Sequence, residues 1–183
     1  MNRLILTVGL GFVVVATACA ADVTPNIDEG TMEMRLHGSL DTDTPLDYDY
    51  QIGGAFGLFV MDGVEVGVGV NARGNDLATH FELGAFAEYV FDMDSSVRPV
   101  VFVGAYYAGV EVDDDYYNKA DETDFDTAVG KAGAGVLYFL RDSVAVELSG
   151  VYSFAADDLY VDQDGNLEDS NFTTVLGLRF YWD

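Results

Sequence analysis

One pair of residues has the chemistry of a nucleophile and its base. His37 and Ser39 are two positions apart, so their side chains would share one face of a β-strand. An imidazole beside a hydroxyl can take up its proton and activate the oxygen for attack. The ordinary alternative is a structural histidine that hydrogen-bonds a carboxylate, with Glu82 or Asp49 as its partner, and we favour that interpretation.

Two segments carry carboxylates suited to a cation. Residues 113–126 contain seven acids and residues 155–171 contain six, and carboxylate oxygens are ligands of Ca²⁺ and Mg²⁺. Part of the spacing of a calcium-binding loop occurs at Asp162, Asp164, Asn166 and Glu168. Its glycine comes too early, however, and Thr173 stands where the closing glutamate belongs. We therefore interpret both segments as solvated acidic surface and predict no metal site and no cofactor, with divalent cations at the loops as the alternative.

The excess of acidic side chains excludes one class of binding partner. The chain has 183 residues, with 32 acidic and 8 basic side chains and a formal net charge of −24. Nucleic-acid binding needs clustered lysines and arginines, so we exclude it. A single cysteine excludes a disulfide scaffold.

The first twenty residues differ from the rest in composition. Arg3 precedes an apolar run over residues 4–15, and small residues follow, ending in Ala18-Cys19-Ala20. This order is typical of a secretory signal peptide, and the run is too short for a membrane-spanning helix. We predict cleavage after Ala20, which leaves residues 21–30 as a periplasmic N-terminal segment; lipidation at Cys19 is the alternative.

Eight later segments alternate apolar and polar residues with a period of two, the pattern of strands with two unlike faces. They cover residues 31–40, 48–60, 64–73, 80–91, 98–107, 128–140, 144–154 and 172–182. Each has about ten residues, the length of a tilted strand that crosses a bilayer. Tight turns alternate with longer polar connections, which lie at residues 41–47, 74–79, 113–126 and 155–171. The pattern predicts an all-β, eight-stranded antiparallel up-and-down barrel over residues 31–183. A β-bulge at Tyr106-Tyr107 would reverse the assignment of inward and outward side chains in that strand.

Charged side chains fall on the polar face of these segments and on none of the apolar faces. They are Glu33, Arg35, Glu65, Arg73, Glu82, Glu88, Arg98, Lys131, Glu147 and Arg179. A water-soluble barrel would turn its apolar face inward, whereas a transmembrane barrel turns it outward and must pair the charges inside. Abundant glycine and serine on the polar face leave room for such pairs, which favours the transmembrane orientation. Side chains nearly fill the space inside eight strands, so we predict a salt-bridged plug, with a lumen that conducts small solutes as the alternative.

The last segment carries Gly177, Phe180 and Trp182, with aromatic residues at alternate positions near its end. This ending resembles the assembly signal of bacterial outer-membrane proteins, although Val175 replaces a usual polar residue and Asp183 follows the final aromatic. With the leader and the eight strands, residues 31–183 resemble the small eight-stranded outer-membrane β-barrel domains, OmpX-like and OmpA-barrel-like in the porin family. The resemblance implies export to the bacterial outer membrane, assembly by the barrel assembly machinery, and contact with outer-membrane lipids and lipopolysaccharide.

The resemblance leaves the activity open. We expect a non-enzymatic surface barrel that supports envelope integrity or adhesion through its acidic extracellular loops. A narrow channel for small solutes is one alternative. A lipid A-modifying hydrolase is the other, because lipid A deacylase barrels use a His-x-Ser with a nearby glutamate, as at His37 and Ser39. The predicted inward parity of that pair places it away from the lipid face and argues against the hydrolase.

Overall fold

A closed antiparallel β-barrel makes up most of the computed structural model, which describes residues 23–41, 49–75, 78–112, 124–157, 159–161 and 167–183. The barrel strands are β1 (Met32–Asp41), β2 (Asp49–Met61), β3 (Val64–Asn75), β4 (Ala78–Val90), β5 (Val97–Val112), β6 (Asp124–Arg141), β7 (Val144–Ala155) and β10 (Ser170–Trp182). A small hairpin of β8 (Tyr160–Val161) and β9 (Leu167–Glu168) lies between β7 and β10. Neighbouring strands pair antiparallel, and β1 pairs with β10 to close the cylinder. The predicted fold class is confirmed.

The eight predicted strands all form, and β3, β4, β5 and β6 extend further than predicted towards the longer connections. β3 and β4 reach Asn75 and Ala78, so only residues 76–77 separate them and the predicted longer connection there is wrong. No bulge interrupts β5 at Tyr106 or Tyr107, whose pairing with β4 and β6 is continuous. The register shifts instead near two tight turns, between Phe59 and Met61 and between Phe139 and Arg141. Within the described part of the chain, no helix is long and apolar enough to cross a membrane.

The apolar face of each barrel strand points outward. Ile52, Val68 and Leu83 are more than half exposed, at 64%, 55% and 51%. Aromatic side chains are exposed towards both ends of this surface, with Tyr89 and Phe91 in edge-to-face contact at 4.8 Å beside the tight turns. The outward orientation, predicted from the charged, glycine-rich and serine-rich polar face, is confirmed.

An apolar floor closes the barrel at the end of the tight turns. Its buried side chains are Ile27, Phe59, Val90, Val100, Leu137, Phe139, Ala145 and Tyr181. Residues 23–31, which we name the N-terminal cap, lie across this end. The Asn26 amide N–H donates to the Asp142 carbonyl at 3.0 Å, and its side chain donates to Asp183 Oδ1 at 2.9 Å. The segment expected only as a periplasmic extension is therefore integrated into the fold.

The signal peptide predicted at residues 1–20, and Cys19 with it, lies outside the described residues. So do residues 42–48, residues 113–123 of the first acidic segment, and residues 158 and 162–166 of the second.

Candidate functional site

Six charged side chains meet inside the barrel above the apolar floor. We name them the central ion cluster: Glu33, Arg35, Glu65, Glu88, Glu147 and Arg179. They come from β1, β3, β4, β7 and β10, so the cluster joins opposite walls of the barrel. The period-two alternation of each strand puts them inside, because each lies an even number of residues from the other inward positions of its strand.

Arg179 is the centre of the cluster and is fully buried. Its Nε donates to Glu147 Oε2 at 2.9 Å, and its Nη1 donates to Glu33 Oε2 at 3.1 Å. Nη2 donates to Glu88 Oε2 at 3.0 Å, and Nη1 also bonds the other oxygen of that carboxylate. One guanidinium thus satisfies three buried carboxylates, as the removal of these charges from water requires.

Arg35 supplies the second cation. Its Nη2 donates to Glu33 Oε1 at 3.1 Å and to Glu88 Oε2 at 3.0 Å. The guanidinium carbon lies 5.0 Å from the centre of the Phe86 ring, within the range of a cation–π contact. Salt bridges between buried side chains thus occupy the middle of the barrel.

Glu65 differs from the other three glutamates. It is fully buried, and neither of its carboxylate oxygens accepts a hydrogen bond from any residue that the structure describes. Its nearest cation is Arg35, with Nη2 at 3.6 Å from Oε2. Oxygens of Glu33, Glu65 and Glu88 converge within 4.8 Å of one another. Guanidinium groups already bond the carboxylates of Glu33 and Glu88, so the arrangement fits ion pairing with arginine better than metal coordination.

A second group of polar side chains lies nearer the long-loop end. His37 Nε2 is 2.7 Å from Asn71 Oδ1, and Asn71 Nδ2 donates to Glu82 Oε2 at 3.2 Å. Lys131 pairs with the same Glu82 oxygen, and its ammonium lies 4.7 Å from the centre of the Tyr106 ring. Asn71, which joins the histidine to the carboxylate, is absent from the predicted charged residues because it carries no charge. Its place on the polar face of β3 is the only signal in the sequence.

Four predicted interior charges lie apart from the central ion cluster: Glu82 and Lys131 belong to the second group, and Arg73 and Arg98 lie elsewhere. Arg73 is half-buried and lines a small polar cavity with His80 and Glu82. Arg98 is buried, but its Nη1 lies 3.1 Å from Asp92 Oδ1, in the turn between β4 and β5. The expectation that Arg98 pairs with an interior glutamate is therefore corrected: its partner is an exposed turn residue.

Among the described residues, no carboxylate hydrogen-bonds His37 to complete a catalytic triad with the candidate pair. His37 faces inward as predicted, and its imidazole bonds Asn71 rather than a carboxylate directly. The backbone of Ser39 lies in β1, but its side chain is outside the described part of the structure, as is that of Asp49. The expected structural histidine is thus linked to Glu82 through the Asn71 amide.

The remaining predicted positions are placed as follows. Gly177 is buried on the inner side of β10, and Trp182 is exposed on the outer side, with its ring 6.0 Å from that of Phe56. Phe180 lies two residues before Trp182 and so on the same face of β10. Of the candidate calcium loop, only Glu168 is described, exposed in β9; Asp162, Asp164 and Asn166 lie outside the described residues.

No family model matches this chain, and no curated protein does. Several solved structures share its fold. The N-terminal β-barrel domain of Pseudomonas aeruginosa OprF matches with a TM-score of 0.60 at 16% identity, covering 84% of this chain and 98% of that one. Neisserial surface protein A matches with a TM-score of 0.57 at 15% identity, covering 82% and 94%. The outer membrane protein OprG from Pseudomonas aeruginosa matches with a TM-score of 0.54 at 14% identity, covering 88% of this chain and 99% of that one.

At these identities the likeness establishes the fold alone. The chain has the architecture of the small eight-stranded outer-membrane β-barrels, and the predicted resemblance to them is confirmed at that level.

Proposed function

We propose that this chain is a non-enzymatic barrel of the bacterial outer membrane with a structural or surface role, in which the acidic extracellular loops support envelope integrity or adhesion. The observation that carries the proposal is the contrast between the two faces of the barrel wall. Outside, apolar side chains are exposed around the cylinder; inside, the central ion cluster and the apolar floor fill the lumen. Exposed apolar area on this scale is stable in contact with lipid and costly in water.

The filled lumen argues against the narrow channel. Arg179 is fully buried among three glutamates, and the apolar floor lies between it and the tight turns. A hydrated ion would have to break several charge-assisted hydrogen bonds to pass. The lipid A-modifying hydrolase also lacks support, because His37 is already bonded to Asn71 and faces the interior.

The proposed partners of the barrel are components of the outer membrane. We propose that outer-membrane lipids cover the apolar surface and that the barrel assembly machinery inserts the chain after cleavage of the signal peptide at residues 1–20. The loops, acidic in sequence, would meet lipopolysaccharide, with divalent cations bridging carboxylates to its phosphates.

Electrophoretic mobility tests the membrane barrel. Folded transmembrane barrels resist SDS until boiled, because their backbone hydrogen bonds are all internal. We expect the unboiled protein, refolded in detergent, to migrate faster than the boiled protein. Identical migration of the two samples, together with a monodisperse protein in detergent-free buffer, would reject the membrane placement.

Planar bilayers separate the plugged barrel from the channel. We expect no conductance steps from the purified protein at voltages that the bilayer itself tolerates. Reproducible unitary steps that disappear when the protein is boiled beforehand would overturn the closed lumen.

Cells test the surface role and the hydrolase together. A strain lacking the protein should become more sensitive to a large apolar antibiotic, and the wild-type gene should restore resistance. A gene with residues 113–122 changed to Asn or Gln at each acid should express an equally heat-modifiable protein that does not restore it. Full rescue by this variant would exclude the acidic loop from the function. Mass spectra of lipid A that differ between wild type and His37→Ala would revive the hydrolase.

A further inference from the structure

The barrel wall has one seam where the first and last strands separate. β1 pairs with β10 only from Met32 opposite Trp182 to His37 opposite Gly177. Beyond that point β1 continues to Asp41 while paired with β2, and the first half of β10, from Ser170, is paired with β7. Among the described residues, no pairing joins residues 38–41 of β1 to β10. The seam therefore lacks a backbone ladder in the half of the barrel nearer the long loops.

A groove of about 690 Å³ lies on the outer surface at this seam. Its walls are mainly apolar, from Leu36, Ile52, Val146, Leu176 and Leu178. It is continuous with the apolar surface that the proposed function places in lipid. Two polar residues, His37 and Gln51, line the groove as well.

The same two residues line a cavity inside the barrel. This cavity has a volume of about 80 Å³ and extends from Arg35 to Lys131 above the central ion cluster. His37 and Gln51 therefore form the partition between an apolar groove outside and a polar cavity inside. A molecule that fits both must be amphipathic, and its head must be small, since one water molecule needs about 10–15 Å³ of such a cavity.

The partition is thin because His37 is flanked by glycines. It stands opposite Gly53 on β2 and Gly177 on β10, both facing inward. The imidazole leans over Gly53, where an added Cβ would overlap it. His37 is also the last residue of β1 that pairs with β10 among the described residues, so the stretch of the seam without a backbone ladder begins at the next residue, Gly38.

His37 also has an unused hydrogen-bonding atom. Asn71 directs its amide nitrogen to Glu82 and so presents its carbonyl oxygen to His37 Nε2. Nε2 must then carry the proton, which leaves a lone pair on Nδ1. Nδ1 is buried and has no hydrogen-bond partner in the described part of the chain. The partner it lacks is a donor, such as the hydroxyl of an undissociated carboxyl group.

We propose that the seam between β1 and β10 is a lateral portal for a free long-chain fatty acid from the membrane. Its acyl chain lies in the outer groove, and its carboxyl group passes His37 into the inner cavity. There the acid hydroxyl donates to His37 Nδ1, and the carbonyl oxygen accepts from the Gln51 amide. A phospholipid head is too large for the inner cavity. The proposal rests on the membrane placement described under the proposed function.

Photolabelling in phospholipid vesicles tests the portal. The probe is palmitic acid with a diazirine on a chain carbon close to its carboxyl group, and adducts are mapped by peptide mass spectrometry. We expect labelling of residues 36–38, 50–53 and 176–178 to exceed labelling around Leu83 by about tenfold, the change produced by one net hydrogen bond. Leu83 is exposed on β4, on the opposite side of the barrel. The methyl ester of the probe, which lacks the hydroxyl donor, should label the whole outer surface evenly.

Two matched variants control for general contact with lipid. Leu176→Trp fills the groove without touching the interior and should remove the excess labelling at the seam. Leu83→Trp makes the same change on an equally exposed side chain and should leave it intact. His37→Phe should abolish the difference between the acid and its ester.

The outcomes distinguish the portal from the membrane placement. Even labelling by the acid, or seam labelling that survives Leu176→Trp, would overturn the portal and leave the membrane barrel standing. A phosphatidylethanolamine carrying the same photoreactive chain should label evenly, and its concentration at the seam would replace the fatty acid as occupant. Absence of label from the whole outer surface with every probe would reject the membrane placement itself.

Discussion

Replacing Glu65 with glutamine tests the charge balance of the central ion cluster. The cluster contains four carboxylates and two guanidinium groups, so two negative charges are in excess. Within this cluster, Glu65 is the carboxylate for which the described residues supply no hydrogen-bond donor. Glutamine has nearly the same shape and no charge, so the substitution removes charge without leaving a cavity.

The expected size of the effect follows from three distances. The attraction between Arg35 and Glu65 at 3.6 Å is worth about 4.6 kcal/mol at an effective dielectric constant of about 20. Repulsion from each of Glu33 and Glu88, whose oxygens lie within 4.8 Å, is at least about 3.5 kcal/mol on the same basis. For an ionised Glu65 the two repulsions exceed this attraction by about 2 kcal/mol; burial of the carboxylate adds to the excess, and the more distant Arg179 reduces it. We therefore expect Glu65→Gln to raise the free energy of unfolding by about 2 kcal/mol.

Glu88→Gln is the matched control. Its carboxylate accepts hydrogen bonds from both Arg35 and Arg179. The substitution weakens these charge-assisted hydrogen bonds and turns an amide N–H donor towards guanidinium donors, which should lower the free energy of unfolding by about 3–5 kcal/mol. Urea titration of the refolded barrel in detergent, followed by the fluorescence of the single tryptophan Trp182, measures both values. If Glu65→Gln destabilised the barrel as much as Glu88→Gln, Glu65 would have a compensating cation, and our account of the cluster would be wrong.

Three further predictions use the same unfolding assay. Gly57→Ala should destabilise the barrel by about 1–3 kcal/mol, because its Cβ would overlap the Glu65 carboxylate. Gly109→Ala is the control and should be neutral, because there is open space around the new Cβ. Equal effects of the two substitutions would contradict the packing around Gly57. Val68→Arg should cost about 2–4 kcal/mol in lipid vesicles, and a negligible cost would mean that this exposed side chain does not face lipid. Asn26→Ala removes two side-chain hydrogen bonds of the N-terminal cap and should cost about 1–2 kcal/mol; no change in stability would show that the cap is not anchored there.

Local spacing predicts which side chains point inward, but it does not predict which of them meet. A period of two assigns Glu33, Glu88 and Arg179 to the interior, and all three lie there. Their contacts depend on the stagger between strands that are distant in sequence, and this is set only when the barrel closes. The sequence therefore predicts a salt-bridged interior without identifying Arg179 as its centre.

The apolar floor was missed for a related reason. Val90, Val100 and Leu137 lie on the predicted polar face, yet they are apolar and buried at the turn end. Phe59 and Phe139 join them beside the two register shifts, which no pattern in the sequence marks. Arg98 follows the same logic: its inward parity was predicted, but its position near the turn gives it Asp92 as a partner.

The N-terminal cap has a consequence for the order of folding. Thr24 and Asn26 bond residues that are 118 and 157 positions away in the chain, at Asp142 and Asp183. Contacts of such long range carry a large loop-closure entropy and form late unless other structure has already brought the ends together. The earliest residues of the described chain can thus find their final place only after the last strand has docked, and slow protection of these amides during refolding would time the completion of the barrel.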